Sequence, residues 1–440
     1  MKHCVRTAVW LPPLYFAEGL PAAVVTEVSL LLFHDFGMGN SGVAFWTNLL
    51  GLLPLLFIKL FCGPAVDAVS TRRRWIALTQ GALGALFLLA ALACRLPAPI
   101  PCLIVIFFAA ALVSGVHDIA ADGFYILALS EHEQAFYSGM RSVFYRVAMV
   151  VGSGGFIIFA GFLSERTGWL CSADAWAAAL LAAALMMGGT AWFSAACLPR
   201  PETDVSKRFS GMVFLRDFGH VFISFFRKKH VWTALCFLLL YRLGEAQLGA
   251  VSKLFLLDRT GGMGLTQTAY GFMVGTLGVC MMLAGGVAAG ILCGVFGMKK
   301  MLWPMALAIN LPDALYLMLA FMKSAGLPLI GSCIAVEQFG YGFGFAGYML
   351  FMVWFASTSE NDCKTSHFAL MTLFMIAGIR LPGMPSGWIA EHIGSWIPCG
   401  LDRYQLFFIW VLVCTIPGFF MTWLISRIVD PRYGRKTGTE

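Results

Sequence analysis

The sequence predicts an all-α membrane protein of twelve transmembrane helices in two six-helix halves. Three observations carry that prediction. First, 59% of the 440 residues are hydrophobic and 12% are charged; a soluble domain carries about 25% charged residues, so too little polar surface exists here to cover a water-soluble globule. Second, the apolar residues come in long blocks, each near the ~20 residues that a helix needs to cross the hydrocarbon core. Third, the longest connection, 198–231, divides twelve such blocks six and six.

The first span is 8–33. Its lead, "MKHCVRTAVWLPPLYFAEGLP", is basic like a signal peptide's, but it lacks a clear small-residue cleavage site and the apolar run continues, so an uncleaved helix is expected. Spans 44–64, 75–94 and 101–128 follow. The fourth holds "GVHDIAADGFYILAL" (115–129), where Asp118 and Asp122 interrupt an apolar run at a cost of roughly 2.5–3.5 kcal/mol per charge on insertion scales. The fifth, 141–163, has Gly152-Ser153-Gly154-Gly155, small residues that let helices approach closely. The sixth is 174–197. In the central connection, Met212 to Phe226 alternates apolar and polar residues between flanking bases, the pattern of an amphipathic helix on the inner leaflet. The second half reads 232–256, 270–293, 301–321, 328–356, 367–391 and 404–428. Small residues recur at Gly285, Gly286, Gly290 and through "GYGFGFAGY" (340–348), and Pro382 and Pro385 predict a kink in the eleventh span. The expected organisation is an N-terminal half (1–197), a cytoplasmic linker (198–231), a C-terminal half (232–428) and a cytoplasmic tail (429–440).

Charge sets the expected orientation. With the N-terminus inside, twenty of the thirty Lys and Arg fall on the cytoplasmic side and five on the outer side. That is a positive-inside bias, and it places both termini in the cytoplasm. The net charge of +7 follows this sidedness and does not point to nucleic acid. The thirteen cysteines are scattered, mostly inside apolar runs, with no C-x-x-C spacing. "GGVAAG" lacks the Lys-Ser or Lys-Thr of a nucleotide loop, and no metal cluster or cofactor motif stands out. An acyltransferase would need a nucleophile or a His-Asp constellation. His117 and Asp118 are adjacent and do not share a helix face, so an enzyme is not expected.

Six plus six spans around a basic loop resembles the layout of the major facilitator superfamily, whose substrate sites lie near the bilayer midplane. The loop after the second span, "GPAVDAVSTRRRW", is similar to that superfamily's G-x-x-x-D-R-x-G-R-R signature, with Ala68 and Ser70 as departures and the basic run displaced. The likeness implies a gating latch of Asp67 with Arg72, Arg73 and Arg74; the half-related loop before Lys299 and Lys300 has no carboxylate.

A narrower resemblance rests on six stretches in order: "YFAEGLP" (15–21), "HDIAADGF" (117–124), "FYRVAMVVGSGG" (144–155), "LLYRLGEAQLGAVSKLFLLD" (239–258), "EQFGYGFG" (337–344) and "SHFALMTLFMIAGIRLPGMPSGWIAEHIG" (366–394). Together they resemble the AmpG-type muropeptide permeases, relatives of the acetyl-coenzyme A transporters. That resemblance implies a proton-coupled importer of anhydro-muropeptides in the inner membrane of a Gram-negative cell. Asp118 and Asp122 match the family's Q-D-x-x-x-D, with His117 for Gln; Tyr145 and Arg146 match its Tyr-Arg pair; Arg242-Leu243-Gly244-Glu245 matches its K-L-G-D; Glu337 matches its E-N-x-x-G-G.

Asp118 and Asp122 share one helix face, and intramembrane carboxylates mark proton paths. Proton coupling is therefore expected of Asp118, Asp122, Glu245 and Glu337, with Arg146 as a candidate partner for one of the aspartates. A cargo bearing carboxylates and hydroxyls calls for guanidinium anchors, so substrate binding is expected of Glu18, Tyr145, Arg146, Arg242 and Arg380. The expected partners are a small-molecule substrate, protons and the lipid bilayer. A siderophore or acetyl-coenzyme A remains an alternative cargo, since Glu18, Glu27 and Arg141 have no counterpart in the family pattern.

Overall fold

The computed structural model describes residues 2–61, 70–129, 131–166, 172–200, 219–220, 222–322, 325–358, 364–397 and 400–430. Among these no strand occurs, and twelve helices are long and apolar enough to cross a membrane. They are α1 (Thr7–Asp35), α2 (Asn40–Ile58), α3 (Arg72–Ala93), α4 (Pro99–Ala128), α5 (Val143–Ser164), α6 (Ser172–Cys197), α7 (Val231–Leu257), α8 (Gln267–Phe296), α9 (Met298–Phe321), α10 (Leu327–Ser357), α11 (His367–Trp396) and α12 (Arg403–Ile428). Each falls on one of the predicted spans. Most of the Met212 to Phe226 segment lies outside the described residues. At its end, Phe225 is buried against Phe355, His367 and Phe374, while Phe222 and Ile223 are exposed.

Contacts divide the chain into two compact units. The first comprises Met1–Met38, Leu49–Gly211 and Thr266–Thr276; the second comprises Gly39–Asn48, Met212–Leu265 and Leu277–Glu440.

In the first unit small residues let the helices approach. A Cβ at Gly84 of α3 would come within 3.2 Å of the α6 backbone at Ala184 and Gly188, so no larger side chain fits there without displacing α6. Gly19 of α1 lies against the Tyr145 carbonyl of α5, and Gly152 of α5 against Ala23 of α1. The predicted Gly-Ser-Gly-Gly cluster serves this role on two sides. A Cβ on Gly154 would sit 2.8 Å from Thr276 Oγ1. Here three helices leave the α-helical pitch for π turns, at Val24–Val28, Val151–Gly155 and Gly271–Gly278. Short π insertions of this kind concentrate at functional positions. Around α1 and α4 the core is aromatic: Trp10 meets Phe124 edge-on, with ring centroids 5.5 Å apart.

In the second unit α10 is the central post. Glu337, Gly340, Gly344 and Gly347 recur at helical spacing and form one face. Gly340 lies on the Ala308 carbonyl of α9, Gly344 on Ile309 and Met305, and Gly347 on Met305. A second α10 face, through Phe339, Gly342 and Phe343, meets Met282 and Gly285 of α8. Helix α9 is broken where it meets the first face. Its regular turns stop at Asn310, a 3-10 turn covers Leu311–Asp313, and the helix resumes at Ala314. Pro312 is the cause. It has no N–H to return to Ala308, four residues back, and the freed Ala308 carbonyl is the one Gly340 accommodates. Helix α7 is likewise interrupted, between Leu240 and Leu243, with Arg242 at φ −110°. Helix α11 breaks between Gly383 and Ser386, where Pro382 and Pro385 predict it.

Candidate functional site

Each unit carries one cluster of charged side chains inside its helices. In the first unit, α1, α4 and α5 supply it. Arg141, at the entry to α5, lies with Nη2 2.6 Å from Asp122 Oδ1. Its guanidinium also stands over the rings of Tyr15, at 4.8 Å, and Tyr125, at 5.8 Å. Glu18 is within electrostatic reach of the same guanidinium. One turn before Asp122, Asp118 faces Tyr145. His117 is fully buried and pairs with Gln80 of α3 at 3.1 Å, which makes it a hydrogen-bonded core histidine.

The cation that meets Asp122 is Arg141; Arg146, expected beside one of the two aspartates, borders Tyr145, which Asp118 also faces. The placement also changes the setting of the pair. The Asp118, Asp122 and Arg141 side chains are 33%, 46% and 37% exposed, while Oδ1 of each aspartate is buried, so the pair is half-buried rather than sealed in the core.

The second unit's cluster is more deeply buried, with Glu245 alone of its acids partly exposed. Arg242 is 5% exposed and donates from Nη2 to the Tyr341 hydroxyl at 2.7 Å. The rings of Tyr341, Phe345 and Tyr348 surround its guanidinium at 5.0–6.0 Å. The cage follows from sequence: positions 341, 345 and 348 repeat at the spacing of one α10 face, and the break in α7 presents Arg242 to it. Glu245, one turn on, faces both Arg242 and Lys253. Glu337 of α10 is 4% exposed, accepts from Gln338 Nε2 at 2.9 Å and is reached by the Tyr316 hydroxyl. A third carboxylate, Asp313, is 1% exposed and lies beside Glu245 and Glu337. Sequence reasoning misses Asp313, although a lone carboxylate inside the apolar span 301–321 is the available signal. Arg380 lies in α11 and is half-buried.

Of the expected latch, Asp67 lies outside the described residues. Arg72 lays its guanidinium against Gly123 of α4. Arg73 donates from Nε to the Leu198 carbonyl at 3.1 Å and from Nη2 to that of Ala195, at the C-terminal end of α6, where a cation suits the helix dipole. The Arg74 amide is capped by Thr71. Among the described residues no group of His, Cys, Asp and Glu converges as a metal ion would need.

No family model matches the chain. Among curated proteins, an uncharacterized protein of Haemophilus influenzae is 24% identical over 94% of this chain and 93% of its own length. The anhydromuropeptide permease of Escherichia coli is 23% identical over 73% of this chain, and a Rickettsia typhi protein named AmpG 2 is 25% identical over 51% of it. The chain spans 59% and 51%, respectively, of the length of those two named relatives. Among solved structures, the nucleoside transporter NupG superposes with a TM-score of 0.70 at 13% identity, covering 98% of this chain and 100% of NupG. A bacterial homologue of the lysosomal transporter Spinster gives 0.68 at 14% identity, covering 97% of each chain. Twelve spans, that fold and these relatives make the chain a multi-pass membrane transporter with the major facilitator fold, similar to the AmpG-type permeases.

Proposed function

We propose that the chain is a proton-coupled importer of anhydro-muropeptides across the inner membrane of a Gram-negative cell, with both termini in the cytoplasm. The observation that carries the reading is the half-buried Arg141–Asp122 pair flanked by Tyr15 and Tyr125. A muropeptide offers sugar rings that stack on aromatic faces and carboxylates that pair with a guanidinium in two parallel hydrogen bonds. An arginine already held by a partly exposed aspartate is a site where a cargo carboxylate exchanges with the internal one. Glu18 borders that pair in the first unit, and Tyr145 stands beside Asp118, Glu18 and Arg146. Asp118, Asp122, Glu245 and Glu337 are the proton-coupling candidates. The name of the Escherichia coli relative supports the cargo class, and the acids in both units support the coupling.

The test is uptake of labelled anhydro-muropeptide by proteoliposomes, with acetyl-coenzyme A and a ferric siderophore run in parallel. Accumulation of the muropeptide that collapses when the pH gradient is abolished is the expected result. Accumulation of another member of the panel instead refutes the cargo, and accumulation indifferent to the gradient refutes the coupling.

A further inference from the structure

We infer that Asp313, on the 3-10 turn inside α9, is the proton-binding residue of the second unit. This rests on the proton-coupled reading above and adds to it a residue that reading does not contain.

The geometry distinguishes the three acids of the cluster. Glu337 has hydrogen-bond donors, Gln338 and Tyr316. Glu245 has cations, Arg242 and Lys253. Asp313 has neither: its carboxyl oxygens are buried without a hydrogen-bond partner among the described residues, and its ionisable neighbours are the two glutamates. Three carboxylates cannot all be ionised in a water-excluded site, because burial and like charge both favour the neutral acid. The proton settles where the negative charge is least compensated, and that is Asp313.

The surrounding elements agree. From α7, Gly244 approaches so closely that a Cβ there would stand 3.4 Å from Asp313 Oδ2; Arg242, Glu245 and Lys253 are the charged groups on that helix. From α10 come Glu337 and Tyr341, and from α9 itself Tyr316. From α12, Thr415 lies 2.7 Å from the same Gly244 Cβ position. The cluster also holds two further unsatisfied atoms, the buried Arg242 Nε and Glu245 Oε2, which have no hydrogen-bond partner among the described residues, but only Asp313 has both its oxygens so placed. A resident metal ion does not fit, since the acids do not converge on one point; a proton needs no such convergence.

Placement on a proline-induced turn gives the proton a mechanical consequence. Asp313 is held by three 3-10 residues rather than by regular helix. Losing its proton would put a third negative charge against Glu245 and Glu337, a repulsion that the turn relieves by moving away from α7 and α10.

Infrared difference spectroscopy on the purified full chain, with pH as the only ligand, reads the carbonyl stretch of a buried protonated carboxyl. Wild type should show the band at neutral pH and lose it on alkalinisation, and Asp313→Asn should lack it. Glu337→Gln, which removes one like charge, should keep the band and move its midpoint to lower pH by about one unit, tenfold in proton affinity. A band of wild-type intensity in Asp313→Asn overturns the assignment. Should that variant fail to fold, an unmoved midpoint in Glu337→Gln overturns it instead. Because no cargo is present, loss of the band in Asp313→Asn upholds the site even where wild-type uptake proves indifferent to a pH gradient, the result that refutes only the coupling.

Discussion

Arg141 decides what the first unit's cluster can recognise. Its guanidinium is planar, and it stands over the Tyr15 and Tyr125 rings while its Nη2 meets Asp122. Lysine keeps the charge and loses the plane. Arg141→Lys should therefore leave the amount of membrane protein unchanged and raise the KM for muropeptide uptake roughly tenfold, which corresponds to ~1.4 kcal/mol. A KM equal to wild type would mean that charge alone suffices. Asp258, at the end of α7, is a structural counterpart outside the spans. Burial raises its carboxyl, but hydrogen bonds from the Thr260 hydroxyl at 2.7 Å, the Thr260 amide at 2.8 Å and the Tyr404 hydroxyl at 2.8 Å outweigh it and hold it well below the usual carboxylate range. A depressed native value stabilises the fold above the unfolded carboxylate's value of about 4 and ceases to do so as pH falls through the native value. Asp258→Asn should thus melt below wild type at pH 7, with the gap closing as the pH is taken below 4. A gap that is constant with pH would assign the loss to packing instead of charge.

Helices in this chain meet through missing side chains, and that makes their contacts testable one glycine at a time. A Cβ added at Gly340 would run into the Ala308 carbonyl and stand 3.0 Å from Pro312 Cγ, whereas one added at Gly290 of α8 would meet nothing within 4 Å. Gly340→Ala should lower the melting temperature of the detergent-solubilised protein by the equivalent of about 1–3 kcal/mol, and Gly290→Ala should leave it unchanged. Equal melting of the two would mean that α10 and α9 do not pack at Gly340. The sequence made such elements legible because bilayer thickness fixes helix length, so twelve spans, the kink at Pro385 and the packing role of Gly152 to Gly155 could all be read without a partner in view. The sites were legible by residue type but not by pairing. Asp118, Asp122, Arg242, Glu245 and Glu337 announce themselves as charges in apolar runs. Which cation meets Asp122 depends on how α4 and α5 each pack against α1, and α1 lies far away in sequence. Asp313 was equally visible as a residue type, but its meaning comes from Glu245 and Glu337, 68 residues before it and 24 after it along the chain.

At the scale of the whole molecule the two units divide the chemistry. Asp118 and Asp122 of the first are partly exposed, at 33% and 46%, whereas Asp313 and Glu337 of the second are buried, at 1% and 4%. A partly exposed Arg141–Asp122 pair suits exchange with a cargo carboxylate, and the buried Asp313 and Glu337 suit a proton that must not leak. Such a division is useful to an importer only if the chain has a fixed sidedness in the bilayer, and sidedness is where the whole sequence contributes at once. Twenty Lys and Arg against five favour one orientation. Basic residues resist translocation when they lie close to the span ends, as Arg72, Arg73, Arg74, Lys299 and Lys300 do. An even number of spans then brings the C-terminus to the same side as the N-terminus. A reporter active only in the cytoplasm should be active when fused after Glu440 and when inserted near Ser210 in the central connection, and one active only in the periplasm should be silent at both. A periplasmic signal after Glu440 would require an odd number of spans. A periplasmic signal near Ser210 with a cytoplasmic one after Glu440 would mean that one of the first six helices and one of the last six do not cross, and the division of the spans six and six would fall with it.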